Sequence, residues 1–330
     1  MRTTSLGRSG PAVSVLGLGG LPLAGAYGPA DDPAAIVRHA LDLGVTLFDT
    51  ADYYGRGAGE EVLGRALGRR GAAGRGSGIV LATKTGILHR DGGPPGLDGS
   101  PEHLRRACEA SLRRLGTDRI DLYHLARIDP QVPVEESMGA LAELVAAGKV
   151  GRVGLCEAAP ATLRRAHAVH PVSVLQTEYS LWERHVEAEI LPACRELGVT
   201  LVAYRPLGSG LLAGRRVDPR TLPPGDFRHR DPRFAPGNLG PNLALADALT
   251  ALARQAGTGP AELALAWLLS RDGVLPIPGT LDRAHLEADL GAAELRLDKA
   301  VTKALDGLLP PHGPAGERYP PGLLATVDRG

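Results

Sequence analysis

The chain has 330 residues, Lys+Arg and Asp+Glu both number 37, and 43% of positions are hydrophobic. Zero formal net charge and a pI near 7.2 leave no basic field to hold nucleic acid or an anionic membrane. The opening MRTTSLGRSG offers no apolar secretory signal, and the most apolar window, LALAWLL, falls far short of the roughly 20 residues that span a bilayer.

In chain order, short apolar runs alternate with amphipathic stretches. Candidate strands are VSVLGLG (13–19), VTLFDT (45–50), GIVLATK (78–84), IDLYHLA (120–126), VGRVGLC (150–156), VSVLQTE (172–178), VTLVAYR (199–205) and VLPIPG (274–279). Between them lie helical patterns. In 32–44, Ile36, Ala40 and Leu41 share a face. The stretch 101–116 begins with Ser100 as N-cap and Pro101 at the first helical position, and closes at Gly116. In 135–149, Met138, Leu141, Leu144 and Val145 repeat the helical spacing. Strands that each lead into a helix predict a parallel α/β sheet. A doubly wound open sheet competes with a closed barrel, but no strand here runs into a G-x-G-x-x-G turn. The barrel normally takes roughly 250 residues plus insertions, so the whole chain, 1–330, reads as one (β/α)8 TIM barrel. A Gly-, Pro- and Arg-rich loop (208–238) follows the seventh strand, and its length marks it as functional. A last helix (297–308) leads to a Pro- and Gly-rich tail expected to lie over the surface as coil. Cys108, Cys156 and Cys194 are few, scattered and odd in number, which argues against a disulfide framework or a metal site and fits a reducing, cytoplasmic setting.

Barrel chemistry belongs at the carboxyl ends of strands. Those ends carry Asp49, Lys84, His124 with Ala126, Cys156 with Glu157, Gln176 and Tyr204, and Tyr54 follows Asp49 in DTADYYG. A strand-end Asp alone is most often a loop organiser. A strand-end Lys is unusual, because its charge must be paired or solvated; Asp49 on the adjacent strand can pair with it. A phenol titrates near pH ~10, and a neighbouring ammonium lowers that value, so Tyr54 could protonate a carbonyl oxygen near neutrality.

The motifs FDTADYYG (48–55), ATK (82–84), GLCEA (154–158), LQTEYSLWER (175–184), AYRPLGSGLL (203–212) and PIPGT (276–280) resemble the ordered motifs of the aldo-keto reductase superfamily, in its bacterial and plant-type branch. They run from LGLGG (16–20) to HLEADLGA (285–292), essentially the whole chain. The resemblance implies the barrel, with an N-terminal β-hairpin and a C-terminal helix and tail. It also implies NAD(P)H-dependent reduction of aldehydes or ketones by direct hydride transfer. Tyr54 then matches the general acid, with Asp49 and Lys84 tuning it. Gly20, Leu21 and Asp49 lie at the cofactor, with Gln176 on the carboxamide and Tyr204 stacked on the nicotinamide. Pro206, Leu207, Gly208, Gly210 and Leu211 match the loop over the pyrophosphate, and Gly279 to Asp289 the adenosine end.

The sequence departs from that pattern in four places. Ala126 occupies the position of the histidine that usually polarises the carbonyl. His124 shares its face about 6–7 Å deeper, from a rise of roughly 3.3 Å per residue, and is either a water-linked participant or a core histidine. Cys156 and Glu157 replace the usual Ser and Asn, so Glu157 could only accept from the carboxamide. Arg205 replaces a Ser and is expected at the pyrophosphate. At the adenosine-phosphate end, which includes Gly279 and Thr280, Leu281 and Asp282 stand where many relatives carry cations; Arg283 and His285 could bind a 2′-phosphate that Asp282 and Asp289 would repel. NADPH is expected, with NADH an alternative. RHRDPR (228–233) reads as a solvated loop, His167 and His170 as the surface end of a helix, and Trp182 as either mouth lining or rim plug.

The expected function is therefore NADPH-dependent reduction of a small-molecule carbonyl, with neither nucleic acid nor membrane as partner. The rival is an altered-reaction or regulatory cofactor-binding barrel with weak reductase activity, because of Ala126. Substrate identity and oligomeric state have no residue code here.

Overall fold

Eight parallel strands form one sheet in chain order: β1 (Leu18–Gly19), β2 (Leu47–Asp49), β3 (Val80–Thr85), β4 (Ile120–Leu125), β5 (Val150–Cys156), β6 (Val172–Glu178), β7 (Thr200–Tyr204) and β8 (Val274–Pro276). This is a computed structural model, and it describes residues 1–72, 78–89, 95–308 and 313–330. The first and last strands meet through two backbone hydrogen bonds, Gly17 N to Pro276 O (3.1 Å) and Gly19 N to Pro278 O (2.8 Å), which close the barrel. Glycine is required at this seam. A Cβ on Gly19 would stand 2.7 Å from Ile277 O, and one on Gly279 would stand 2.4 Å from Gly19 O.

The expected first strand, 13–19, divides in two. Ala12–Ser14 pairs with Thr3–Ser5 in an antiparallel hairpin, and only Leu18–Gly19 joins the barrel. The Ser14 hydroxyl donates to Leu16 O (2.6 Å), a local bond that turns the chain between the two pieces. Leu6 and Val13 of the hairpin pack with Leu47, Val80, Leu122, Val174, Val202 and Leu275 as the barrel's inner cluster, so the lower barrel is a filled core rather than a pore.

Helices follow where the capping residues predict them. In α1 (Pro33–Asp42), the Asp32 side chain accepts from Ala35 N. After α2 (Ala58–Ala72) comes α3 (Pro101–Leu115), where Ser100 accepts from His103 N and Gly116 takes the left-handed C-cap at φ 65°. The layer continues with α4 (Val134–Ala146), α5 (Pro160–Val169), α6 (Ile190–Leu197), α7 (Pro236–Gln255), α8 (Pro260–Leu269), α9 (Arg283–Gly291), α10 (Lys299–Asp306) and α11 (Pro321–Leu324). No described helix is long and apolar enough to cross a membrane.

The tail departs from the expected surface coil. Residues 309–312 lie outside the described residues, but 313–330 include α11 and cross the mouth of the barrel. Arg318 bonds Glu157, the Ala159 amide donates to Asp328 (2.9 Å), and Ala315 exchanges two hydrogen bonds with Asn242.

Candidate active site

The strand register places the reactive side chains. Along β3, Val80 and Ala82 face the inner core, so Lys84, two residues on, faces inward as well. Asp49 is the register partner of Ala82 on the neighbouring strand, and the Lys84 ammonium reaches back to it. Lys84 Nζ donates to Asp49 Oδ2 (2.5 Å) and to Thr50 O (2.6 Å), and Gln176 Nε2 donates to Asp49 Oδ1 (2.8 Å). The pair is almost fully buried, at 1% and 3% exposure. Burial alone would lower the Lys84 pKa, but the Asp49 carboxylate, reinforced by Tyr54, outweighs it and raises it. Lys84 therefore stays cationic.

That cation lies 4.9 Å from the centroid of the Tyr54 ring. Tyr54 sits at the start of a tight turn in which Gly55 takes φ 58°, a conformation suited to glycine. The expectation of a lowered phenol pKa is corrected here. Burial pushes the Tyr54 hydroxyl up to about 12; Lys84 pulls against this, while Asp49 adds to the rise. Lys84 acts in the expected direction, but the desolvation of a phenolate is larger. Tyr54 is a protonated donor across the neutral range.

His124 is the register partner of Lys84 and Gly154 and lies fully buried below the mouth. Its ring occupies the space over Gly154, where an added Cβ would come within 2.2 Å of it. Burial first, and then Lys84, depress its pKa to about 3. A neutral ring donates from Nδ1 to Thr83 O (3.3 Å), which leaves Nε2 without a partner among the described residues. The geometry is that of a core histidine. Ala126, one inward position higher, is also fully buried.

Tyr204 lines the groove beside Asp49 and Tyr54. Its hydroxyl donates to Glu157 Oε1 (2.7 Å). Glu157 is otherwise engaged with Thr177, the Glu178 amide and Arg318. Burial would raise its pKa, but Arg318 and then Arg127 bring it down to about 2. This corrects the expectation that Glu157 meets a carboxamide, because its oxygens are already occupied by protein donors. Arg205 borders the groove and is also engaged by the protein: it pairs with Asp231 and donates to Arg318 O (2.8 Å) and Ser209 Oγ (3.0 Å). The Cys156 thiol is buried, which pushes it up to about 12, and it does not border the groove.

The groove, of about 510 Å³, runs from Asp49 and Tyr54 past Tyr204 to Asp289. Gly20, Leu21, Pro206, Leu207, Gly210, Gly279, Thr280 and His285 all border it. Gly208 and Leu211 lie just behind: Gly208, at φ 55°, lets the chain turn over Trp182, whose ring would be 2.3 Å from an added Cβ. Trp182 is thereby a buried plug. Arg283 is exposed on the outer side of α9 and does not reach the groove. Arg215 from the long loop stands there instead, in contact with His285. No local pattern in the sequence singles out Arg215. Within RHRDPR, Arg233 is not solvated but 2% exposed, paired with Glu178 (2.6 Å) and Glu183.

Asp289 is 4% exposed, and no donor among the described residues reaches its carboxylate. Burial, with Glu262 adding to it, pushes its pKa up to about 7. Because that lies above the unfolded value, the group costs stability increasingly as pH rises from about 4 to about 7. Asp289→Asn is expected to stabilise the protein by on the order of 3 kcal/mol at pH 8 and by little at pH 4. Thermal unfolding at the two pH values checks this; an equal gain at both would contradict it.

The site suits a nicotinamide nucleotide. The groove has the size of a ligand cleft and Tyr204 gives it an aromatic wall; Gln176, bonded to Asp49 through its amide nitrogen, lies behind the lining and fixes the carboxylate that borders it.

Comparison with known proteins agrees. The model of the Aldo/keto reductase family matches residues 15–310. A probable aldo-keto reductase of Glycine max is 40% identical over 327 residues, covering 98% of this chain and 93% of that protein. Among solved structures, a glycerol dehydrogenase of Gluconobacter oxydans superposes with a TM-score of 0.82 at 29% identity, over 93% of this chain and 94% of the other. A thermostable aldo-keto reductase solved with the inhibitor epalrestat gives 0.73 at 28% identity, over 93% and 100%. The chain belongs to the aldo/keto reductase family and is an NAD(P)H-dependent oxidoreductase acting on small-molecule carbonyl compounds.

Proposed function

We propose that this enzyme reduces an aldehyde or ketone with NADPH, Tyr54 donating the proton to the carbonyl oxygen. The observation that carries this reading is the buried Asp49–Lys84 pair set 4.9 Å from the Tyr54 ring at the head of the groove. When bound, NADPH supplies the hydride to the carbonyl carbon. Tyr204 would carry the nicotinamide ring. Lys84 keeps positive charge beside the phenol, so that the phenolate left after proton transfer is compensated. Asp49 fixes that ammonium and balances its charge in the dry interior. Three buried free cysteines suit a reducing compartment, and we place the enzyme in the cytoplasm.

The preference for NADPH rests on Arg215, His285 and Thr280 at the far end of the groove. His285 is held neutral by burial and by Arg215, leaving Arg215 as the cation for a 2′-phosphate. Arg215→Gln is expected to weaken NADPH binding about 10- to 100-fold, the worth of a charge-assisted hydrogen bond. NADH binding should change less than threefold. Fluorescence titration with both nucleotides measures it, and equal losses would mean that Arg215 does not read the phosphate.

The reaction itself is tested by following NADPH oxidation across a panel of aldehydes and ketones, with Tyr54→Phe alongside. Turnover that collapses in the variant supports the proposal. Turnover that survives intact removes Tyr54 from the mechanism, and nucleotide binding without any turnover favours a regulatory barrel.

A further inference from the structure

Two adjacent residues of the groove wall, Tyr204 and Arg205, are each bonded into the tail. Tyr204 reaches it through Glu157. The Tyr204 hydroxyl donates to Glu157 Oε1 (2.7 Å), and Arg318 grips the same carboxylate from Nη1 (3.1 Å) and Nη2 (2.5 Å). From β6, Thr177 Oγ1 (2.9 Å) and the Glu178 amide (3.1 Å) also donate to it. Arg205 reaches the same tail residue from the other side, donating from Nη1 to Arg318 O (2.8 Å). Arg318 is thus held at its guanidinium by the residue after β5 and at its carbonyl by the residue after β7.

Both strand-end residues of this junction have left-handed backbone, φ 52° at Glu157 and φ 50° at Arg205. Side chains other than glycine enter that region at a cost, and they stay there only where the surroundings fix them. Here the fixing comes from buried charge. Glu157 is 3% exposed, and a carboxylate at that depth depends on the donors around it. The same bonds fix the groove wall. A tyrosine anchored only at its Cα chooses among rotamers; tied by its hydroxyl to a buried carboxylate, Tyr204 presents one face to the groove before any ligand arrives. Such preorganisation removes an ordering cost from binding. The converse also holds. A ring covered by a bound nicotinamide stays on Glu157, and Glu157 keeps Arg318 and the tail seated.

We infer that Glu157 is a positioning residue that makes the tail part of the nucleotide site: by tying the Tyr204 hydroxyl and Arg318 to one carboxylate, it couples the nicotinamide end of the groove to residues 313–330. This rests on the reading of Tyr204 as the wall beneath the nicotinamide ring. Coupling between two sites is reciprocal, so the factor by which the nucleotide steadies the tail is the factor by which the seated tail strengthens the nucleotide. Asn242 and the Ala159 amide hold the tail at other points, so cutting the Arg318 contact loosens one anchor and leaves the rest.

The test compares two ligands by calorimetric titration: NADPH, and 2′-phospho-ADP-ribose, which lacks the nicotinamide. The proteins are wild type, Glu157→Gln, Arg318→Met, Arg318→Lys and Tyr204→Leu, and amide hydrogen exchange of the tail is followed with and without each ligand. Glu157→Gln and Arg318→Met are expected to weaken NADPH about tenfold, inside the usual range of coupling between sites. Both should leave 2′-phospho-ADP-ribose within about twofold, and Arg318→Lys should recover part of the NADPH loss. In wild type, NADPH should slow exchange around Arg318 by about the same tenfold, and 2′-phospho-ADP-ribose should not. In Arg318→Met neither ligand should slow it. Equal losses for the two ligands would mean damage to the fold at large and overturn the inference. So would an Arg318→Met protein that binds NADPH as wild type does, with a tail indifferent to the nucleotide: the junction would then only seat the tail. Tyr204→Leu separates the two levels. If it binds NADPH normally, the reading of Tyr204 beneath the ring falls; if it is weakened while Arg318→Met is not, this inference falls alone.

Discussion

Tyr54→Phe is expected to lower kcat for carbonyl reduction by about 10²–10⁴-fold, the range of a positioned general acid, while nucleotide affinity stays within about twofold. The ring, its cation contact with Lys84 and its edge-on contact with Tyr53 at 5.0 Å all survive the substitution. Only the proton and its oxygen are lost. Because burial pushes the phenol up to about 12, Tyr54 remains protonated throughout ordinary assay conditions. For reduction the protonated form is the active one, so kcat/KM should be flat from about pH 6 to about pH 10 with no descending limb from Tyr54. A fall centred near pH 8 or 9 would show that the phenol is far more acidic than its surroundings imply. Stopped-flow measurement of nucleotide oxidation in single-turnover mode separates this step from product release.

Lys84→Met is expected to abolish activity and also to destabilise the fold by about 3–5 kcal/mol, the usual result of removing one partner from a buried pair. The size follows from the surroundings. Asp49 is 3% exposed and, among the described residues, would keep only the Gln176 amide as donor, so its charge would be buried without compensation. The variant should relieve this by taking up a proton on Asp49. Its stability deficit is then smaller at pH 4 than at pH 8, since a carboxyl whose folded pKa is raised loses stability as pH rises. Chemical unfolding of the two proteins at both pH values measures the difference. Asp49→Leu combined with Lys84→Met should recover most of the lost stability and none of the activity. If the double variant is no more stable than the single one, the pair is not what fixes the local fold.

The legible and illegible parts of this molecule divide by the range of the interactions. The helix 101–115 could be bounded to the residue because Ser100, Pro101 and Gly116 act on their own neighbours. Asp49, Lys84, Gln176 and Tyr204 could be placed at strand ends because inward and outward positions alternate with a period of two. What escaped the sequence are contacts that join distant segments. Glu157 is occupied by Arg318, 161 residues away, and Arg205 by Asp231, 26 residues away. Arg215 reaches His285 across 70 residues. Charge alone could not assign these partners, since many combinations were available. The acidity of Tyr54 escaped for another reason: the sign of the Lys84 effect was readable, but the larger cost of desolvation depends on packing. His124 was left between two roles, and the glycine at 154 that admits its ring lies on the next strand.

The seam of the barrel has a consequence for how ligand and fold depend on each other. β1 and β8 are only two and three residues long and are joined there by two backbone hydrogen bonds. Gly19, Gly20, Ile277, Pro278 and Gly279 are also the floor of the groove. A nucleotide lying in it would therefore touch the earliest and latest strands at once, acting as a clasp across this short joint of the cylinder. By mass action, each increment of occupancy would be felt as resistance to the barrel uncurling, so cofactor supply would also govern how much of the enzyme stays folded.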